Sequence, residues 1–86
     1  MYRVAGDSMQ PTYQPGDTLL GTGWFTPAIG QVVVADHAGR PVIKRITRLS
    51  RTHVWLAGDN PAASTDSRQY GPIVRTALQS NILIKF

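Results

Sequence analysis

Ser8 sits between Gly6 and a run of turn-forming residues, Pro11, Pro15 and Gly16, so the chain can present its hydroxyl on a tight bend. A serine hydroxyl is a weak nucleophile until a neighbouring base takes its proton. The candidate bases are few: two histidines, His37 and His53, and two lysines, Lys44 and Lys85. A histidine base would need a buried carboxylate to orient it. His37, in the turn Asp36-His37-Ala38-Gly39, and His53, at the start of a strand, both read as exposed edge residues. Lys85 reads as an ordinary surface charge. Lys44 lies in the apolar run Val42-Ile43-Lys44-Arg45-Ile46. Burial there would disfavour its ammonium and make it a base near neutral pH. The plainer alternative is a lysine on a solvated strand face. A third segment, Gly58-Asp59-Asn60 running on to Ser64, Asp66 and Arg68, is rich in hydroxyl and carboxylate groups. Read by itself it could be any polar loop.

The 86 residues are expected to form a single domain, 1–86, with a modest core; 42% are hydrophobic, too many for a disordered chain. With no cysteine, neither a disulfide framework nor a thiolate metal site is available, and no His/Asp cluster has ligand spacing. No cofactor and no metal are expected. The formal charge is +4, from nine basic residues against five aspartates. The arginines are scattered, and the aromatics are not interleaved with them as on a single-strand-binding surface, so nucleic acid is not an expected partner. No apolar run approaches the roughly 20 residues needed to span a bilayer. Peripheral contact with anionic lipid is compatible with the charge.

The elements that must position these residues read as short strands. Tyr2–Ala5 leads into the Ser8 bend, and Thr18–Leu20 follows the Pro15-Gly16-Asp17 turn. Gln31–Asp36 is a β-branched run, and Ala38-Gly39-Arg40 is a hairpin turn. Along Pro41–Leu49, alternation sends Val42, Lys44, Ile46 and Arg48 one way and Ile43, Arg45, Thr47 and Leu49 the other. His53–Ala57 is the partner strand, residues 59–72 form an ordered loop, a short helical turn lies around Val74–Leu78, and Ile82–Phe86 closes the sheet. No helix period is present, and the fold class is all-β.

The three segments, in this order, resemble the signal peptidase I family of Ser-Lys dyad peptidases: the Ser8 box, the Lys44 strand, and the Gly-Asp-Asn start and Ser-x-Asp-Ser-Arg end of the last box. The resemblance covers Gly6 to Gly71. It implies a small antiparallel β domain of the kind shared with SOS-repressor peptidases. It also implies Ser8 as nucleophile, Lys44 as general base and Ser64 as the group orienting the amine. Asp59 would pair with Arg45 and Asp66 with Arg68 in support, and Met9 and Pro11 would line the substrate groove. The implied function is cleavage of a leader or signal peptide from a precursor protein, bound as an extended strand with small residues near the scissile bond. A monomer is expected. Gly6 departs from the pattern, because many relatives have there a serine whose hydroxyl helps bind the oxyanion; the backbone N–H of Ser8 must then carry that task. Asp7, beside the nucleophile, is expected to face solvent.

The compact form, the absence of a membrane-spanning run within these 86 residues and Asp59-Asn60-Pro61 resemble the soluble nickel-superoxide-dismutase maturation peptidases, with a minimal signal peptidase I-like protein as the other form. A maturation peptidase would be cytoplasmic, whereas a signal peptidase completed by an anchor would sit at the outer face of a membrane. A non-catalytic peptide-binding module on this scaffold and a self-cleaving repressor-type peptidase are the alternative readings.

Overall fold

Runs of β-branched and alternating residues dominate the chain, and in the computed structural model, which describes residues 1–86, they build one antiparallel sheet. The strands are β1 (Tyr2–Arg3), β2 (Thr18–Thr22), β3 (Val32–His37), β4 (Arg40–Leu49) and β5 (His53–Ala57). After β5 come a 3₁₀ turn at Pro61–Ala63 and a one-turn helix, α1 (Ser67–Tyr70). The chain then forms β6 (Ile73–Val74), a second 3₁₀ turn at Arg75–Ala77 and β7 (Leu78–Lys85). The seven strands lie in the order β1-β2-β7-β3-β4-β5-β6.

The all-β class expected from sequence therefore holds, and it includes one short helix. Its cause is local: Asp66 caps α1 by accepting from the Arg68 N–H, while the Gln69 side chain accepts from the Asp66 N–H. The helical turn expected around Val74–Leu78 is the 3₁₀ turn at Arg75–Ala77. The closing strand begins at Leu78, four residues before the expected start, because Gln79 is accommodated as an irregularity in the β3 pairing, where Val34 meets Ser80 and Ala35 meets Leu78.

β3 and β4 form a hairpin in register from Val32–Arg45 to His37–Arg40. Its two-residue turn holds Ala38 at φ 53° and Gly39 at φ 77°, the left-handed geometry that matches strand twist. Val33 and Ala35 on β3, Ile46 on β4, and Val54 and Leu56 on β5 form one fully buried cluster, and Val34, Leu19 and Met9 are buried as well. Val42, Leu49, Ile73, Leu78 and Phe25 pack around that cluster.

One part of the alternation reading is corrected. The register between β4 and β5 shifts after the Ile46–Leu56 pair, so that Arg48 faces Trp55 and Leu49 faces Val54. Thr47 is the additional residue, and its hydroxyl donates to the Trp55 carbonyl. An inserted residue reverses the face of everything beyond it. Leu49 therefore joins the core, while Arg48 lies outside, its guanidinium 4.5 Å from the Trp55 ring centroid. Up to Ile46 the expected faces hold, and Lys44 is on the core side.

This placement predicts that Leu49→Ala lowers the unfolding free energy by about 2 kcal/mol or more, as a large-to-small change against a core does. Arg48→Ala should cost less than about 1 kcal/mol, the scale of an exposed cation–π contact. Urea unfolding of the two variants checks the bulge directly.

Candidate active site

Lys44 lies two residues from the fully buried Ile46 and shares its face, which leaves the lysine residue only 6% exposed. Desolvation of the ammonium lowers its pKa, and the Arg68 guanidinium adds to that, against an opposing pull from Asp66. The amine is held in place: Lys44 Nζ donates to Ser64 Oγ at 3.1 Å. Ser64 has one hydroxyl proton and gives it to Asp66 Oδ2 at 2.5 Å, so its lone pairs are left to accept from the lysine.

Asp66 is fully buried and well supplied with donors. Its carboxylate accepts from Ser64 Oγ, the Gly58 N–H at 2.8 Å, the Arg68 N–H, Arg68 Nε at 2.9 Å and Arg68 Nη2. Burial alone would raise its pKa; the hydrogen bonds from Arg68, Ser64 and the Gly58 and Arg68 N–H groups outweigh it and hold the carboxyl far below the usual carboxylate range. Asp59 makes the second support. It receives Arg45 Nε at 2.9 Å and Nη2 at 2.8 Å as a bidentate pair, and Thr12 Oγ1 at 2.6 Å. The Arg45 hydrogen bond is the main cause that lowers the Asp59 pKa. Both ion pairs thus join the residues expected to support the site.

The Ser8 bend is fastened to the same loop. The Asn60 N–H donates to the Ser8 carbonyl at 2.8 Å, and Asn60 Nδ2 to the Asp7 carbonyl at 3.1 Å. Gly6, at φ +75°, makes the turn into it. Asp7 is exposed, its carboxylate accepting from Gln10 Nε2. Gly58 marks the closest approach in the region. A Cβ there would lie 2.5 Å from the Ser8 carbonyl oxygen and 2.7 Å from Ser64 Cβ, so only glycine lets the two segments meet over the end of β5.

Ser8 and Lys44 line one cavity of about 430 Å³, together with Met9, Thr65 and Tyr70. Ser8 Oγ and Lys44 Nζ are not hydrogen-bonded to each other. Met9 is in place but almost wholly buried, at 1% exposure, while Pro11 is exposed and lies outside the cavity wall.

Two lengths of backbone flank the cavity, Arg3–Ala5 and Pro41–Ile43. The Ile46 N–H and C=O are bonded to Gln31 and Gly30 on the β3 side, so by alternation those of Ile43 and the carbonyl of Pro41 turn away from β3. β5 ends at Ala57, opposite Arg45, which leaves that edge of β4 free. Val4 is bonded on both its N–H and C=O to the Gly16–Asp17 turn, so the groups of Arg3 and Ala5 also turn away from their neighbour. The cavity is a slot between two strand edges.

Two features were not legible from sequence. His37, expected as an exposed edge residue, is half-buried in the cavity wall and stacked on Tyr70, with ring centroids 3.8 Å apart and planes 15° apart. The capped helix carries Tyr70 back over the hairpin, and no local pattern announces that contact. Tyr70 Oη is buried without a hydrogen-bond partner, and burial raises its pKa.

Against this geometry, residues 1–79 match the family model described as Peptidase S24-like. The chain belongs to the Peptidase S24-like family. It is 43% identical over 44 residues to mitochondrial inner membrane protease subunit 1 of Xenopus tropicalis, a stretch covering 51% of this chain and 26% of that protein. The corresponding subunit of Schizosaccharomyces pombe is 45% identical over 42 residues, with 49% and 26% covered. Mouse mitochondrial inner membrane protease subunit 2 is 30% identical over 100 aligned positions, covering 83% of this chain and 57% of the subunit. The chain thus spans about a quarter of the subunit 1 relatives. The peptidase kinship expected from the three segments holds. No helix here is long and apolar enough to cross a membrane.

Gly58→Ala should lower stability by about 1–3 kcal/mol, the cost of overpacking where backbone cannot yield, measured by denaturant unfolding. Asp66→Asn tests the buried carboxylate. Its folded pKa is depressed, so its contribution is full above the ordinary carboxyl range near about 4 and fades as pH falls through the folded pKa. The variant should be less stable than the parent at neutral pH, and the gap should narrow as the pH of the melt is lowered below about 4.

Proposed function

We infer that this chain is a serine endopeptidase of the signal peptidase type, with Ser8 as nucleophile and Lys44 as general base. The observation that carries the reading is the lysine: buried, with its pKa lowered, oriented by Ser64, and sharing a cavity with Ser8. With its ammonium deprotonated, Lys44 can donate one N–H to Ser64 and keep a lone pair for the nucleophile's proton. Membership in a peptidase family supports the hydrolytic class.

The steps balance without any co-reactant but water. Ser8 Oγ bonds to the scissile carbonyl carbon as its proton passes to Lys44 Nζ. The carbon–nitrogen bond then breaks, Lys44 returns that proton to the leaving amine, and an acyl-enzyme remains. Water attacks the ester, gives a proton to Lys44, and the acid product leaves as Ser8 Oγ is reprotonated. The Ser8 N–H makes no internal hydrogen bond, which suits it to the developing oxyanion in the absence of a side-chain donor at Gly6. Hydrogen bonds between nucleophile and base commonly tighten only when substrate closes the site, so their separation here is compatible with the role.

The substrate proposed is a precursor protein whose leader enters the slot as an extended strand. Ile43 supplies an N–H and a C=O to it, and Pro41 only a C=O. Met9 closes the apolar floor, favouring small side chains beside the bond cut.

With a leader-bearing peptide, Ser8→Ala and Lys44→Met should each reduce kcat by roughly 10⁴-fold or more. Ser64→Ala should fall between them and the parent. Equal cleavage by all variants would rule out the dyad. The parent's kcat/KM should rise with pH as Lys44 loses its proton and reach its plateau below the ordinary lysine value of 10.5.

A further inference from the structure

The end of the slot away from Ser8 is cationic. On β4, Lys44, Val42 and Arg40 follow one another on one face at period 2, and across the hairpin Arg40 faces His37. Arg3 comes to the same cavity from β1, so Arg3, His37 and Arg40 gather in the wall while no carboxylate lines it. The five aspartates are engaged elsewhere. Asp17 pairs with Lys85, Asp59 with Arg45, Asp66 with Arg68, and Asp7 accepts from Gln10. Asp36 faces Pro41 in the hairpin, on the opposite side of the sheet from Arg40. Arg3 and Arg40 therefore have no internal anion.

We propose that Arg3 and Arg40, with His37 beside them, form a subsite for an acidic side chain of the bound peptide, about four residues from the scissile bond. The distance follows from the strand: Arg40 lies four residues from Lys44, about 13 Å at ~3.3 Å per residue, and a peptide paired along β4 advances at the same pitch. Arginine is suited to the task because its planar fork binds a carboxylate at two points. The proposal rests on the peptide-cleaving reading of the slot and adds a specificity to it.

The test uses alanine-rich fluorescent peptides carrying one glutamate at successive positions, with glutamine and lysine at each position as controls. Binding is read by anisotropy on Ser8→Ala protein, and cleavage by kcat/KM on the parent. One glutamate position, about four residues from the cut, should bind roughly three- to tenfold better than glutamine, the scale of two exposed charge pairs, and act through KM. The gain should shrink as salt is raised. Arg3→Gln and Arg40→Gln should each weaken the preference, and Arg40→Glu should turn it toward lysine. A flat glutamate scan, or a preference unchanged by these variants, overturns the subsite. Ser8-dependent cleavage with a flat scan leaves the peptidase reading standing and removes only the subsite. A glutamate preference in binding without Ser8-dependent cleavage does the reverse.

Discussion

The buried carboxylate of Asp66 is the constraint around which the site is arranged. A fully buried charge is tolerable only when its lone pairs are met, and here five donors from Ser64, Gly58 and Arg68 meet them. Those bonds have a directional consequence. Because Ser64 spends its single proton on Asp66, it can offer Lys44 only an acceptor, and the lysine is thereby oriented. The same carboxylate caps α1, which carries Tyr70 over the hairpin to His37. One anion thus links the β5 end, the loop, the helix and the amine.

A second constraint is steric. Gly58 lets the Ser8 segment and Ser64 approach the same point of backbone, and Asn60 then locks the Ser8 segment through its two hydrogen bonds. The first constraint sets the direction of the lysine, and the second sets which segment it faces. The cost of burying Lys44 is offset by its neighbours only in part, and its pKa is depressed as a result.

How much of this was legible beforehand depended on whether the signal was local. The hairpin and the core face of β4 as far as Ile46 follow from alternation and turn chemistry, which neighbouring residues determine, whereas alternation alone left Lys44 equally open to a solvated strand face. The capping spacing of Asp66 and Gln69 was also present in the sequence, although residues 59–72 read as an ordered loop without a helix. The bulge at Thr47 was not, because register is settled between strands: alternation set Leu49 on the face opposite Lys44, and the pairing with Val54 reversed it. The stacking of His37 on Tyr70 joins residues 33 positions apart, and the close approach at Gly58 is visible only once Ser8 and Ser64 are in place. Pro11, which the family resemblance implies as a groove residue, is exposed and does not line the cavity that holds Ser8.

The central claim is that the fold lowers the pKa of Lys44 by desolvating its amine, the direction a lysine base requires. The most direct measurement is an NMR titration of the folded protein with isotope-labelled lysine, following the Lys44 side chain. The account predicts a Lys44 midpoint clearly below the ordinary lysine value of 10.5. A Lys44 midpoint at or above that value would contradict it.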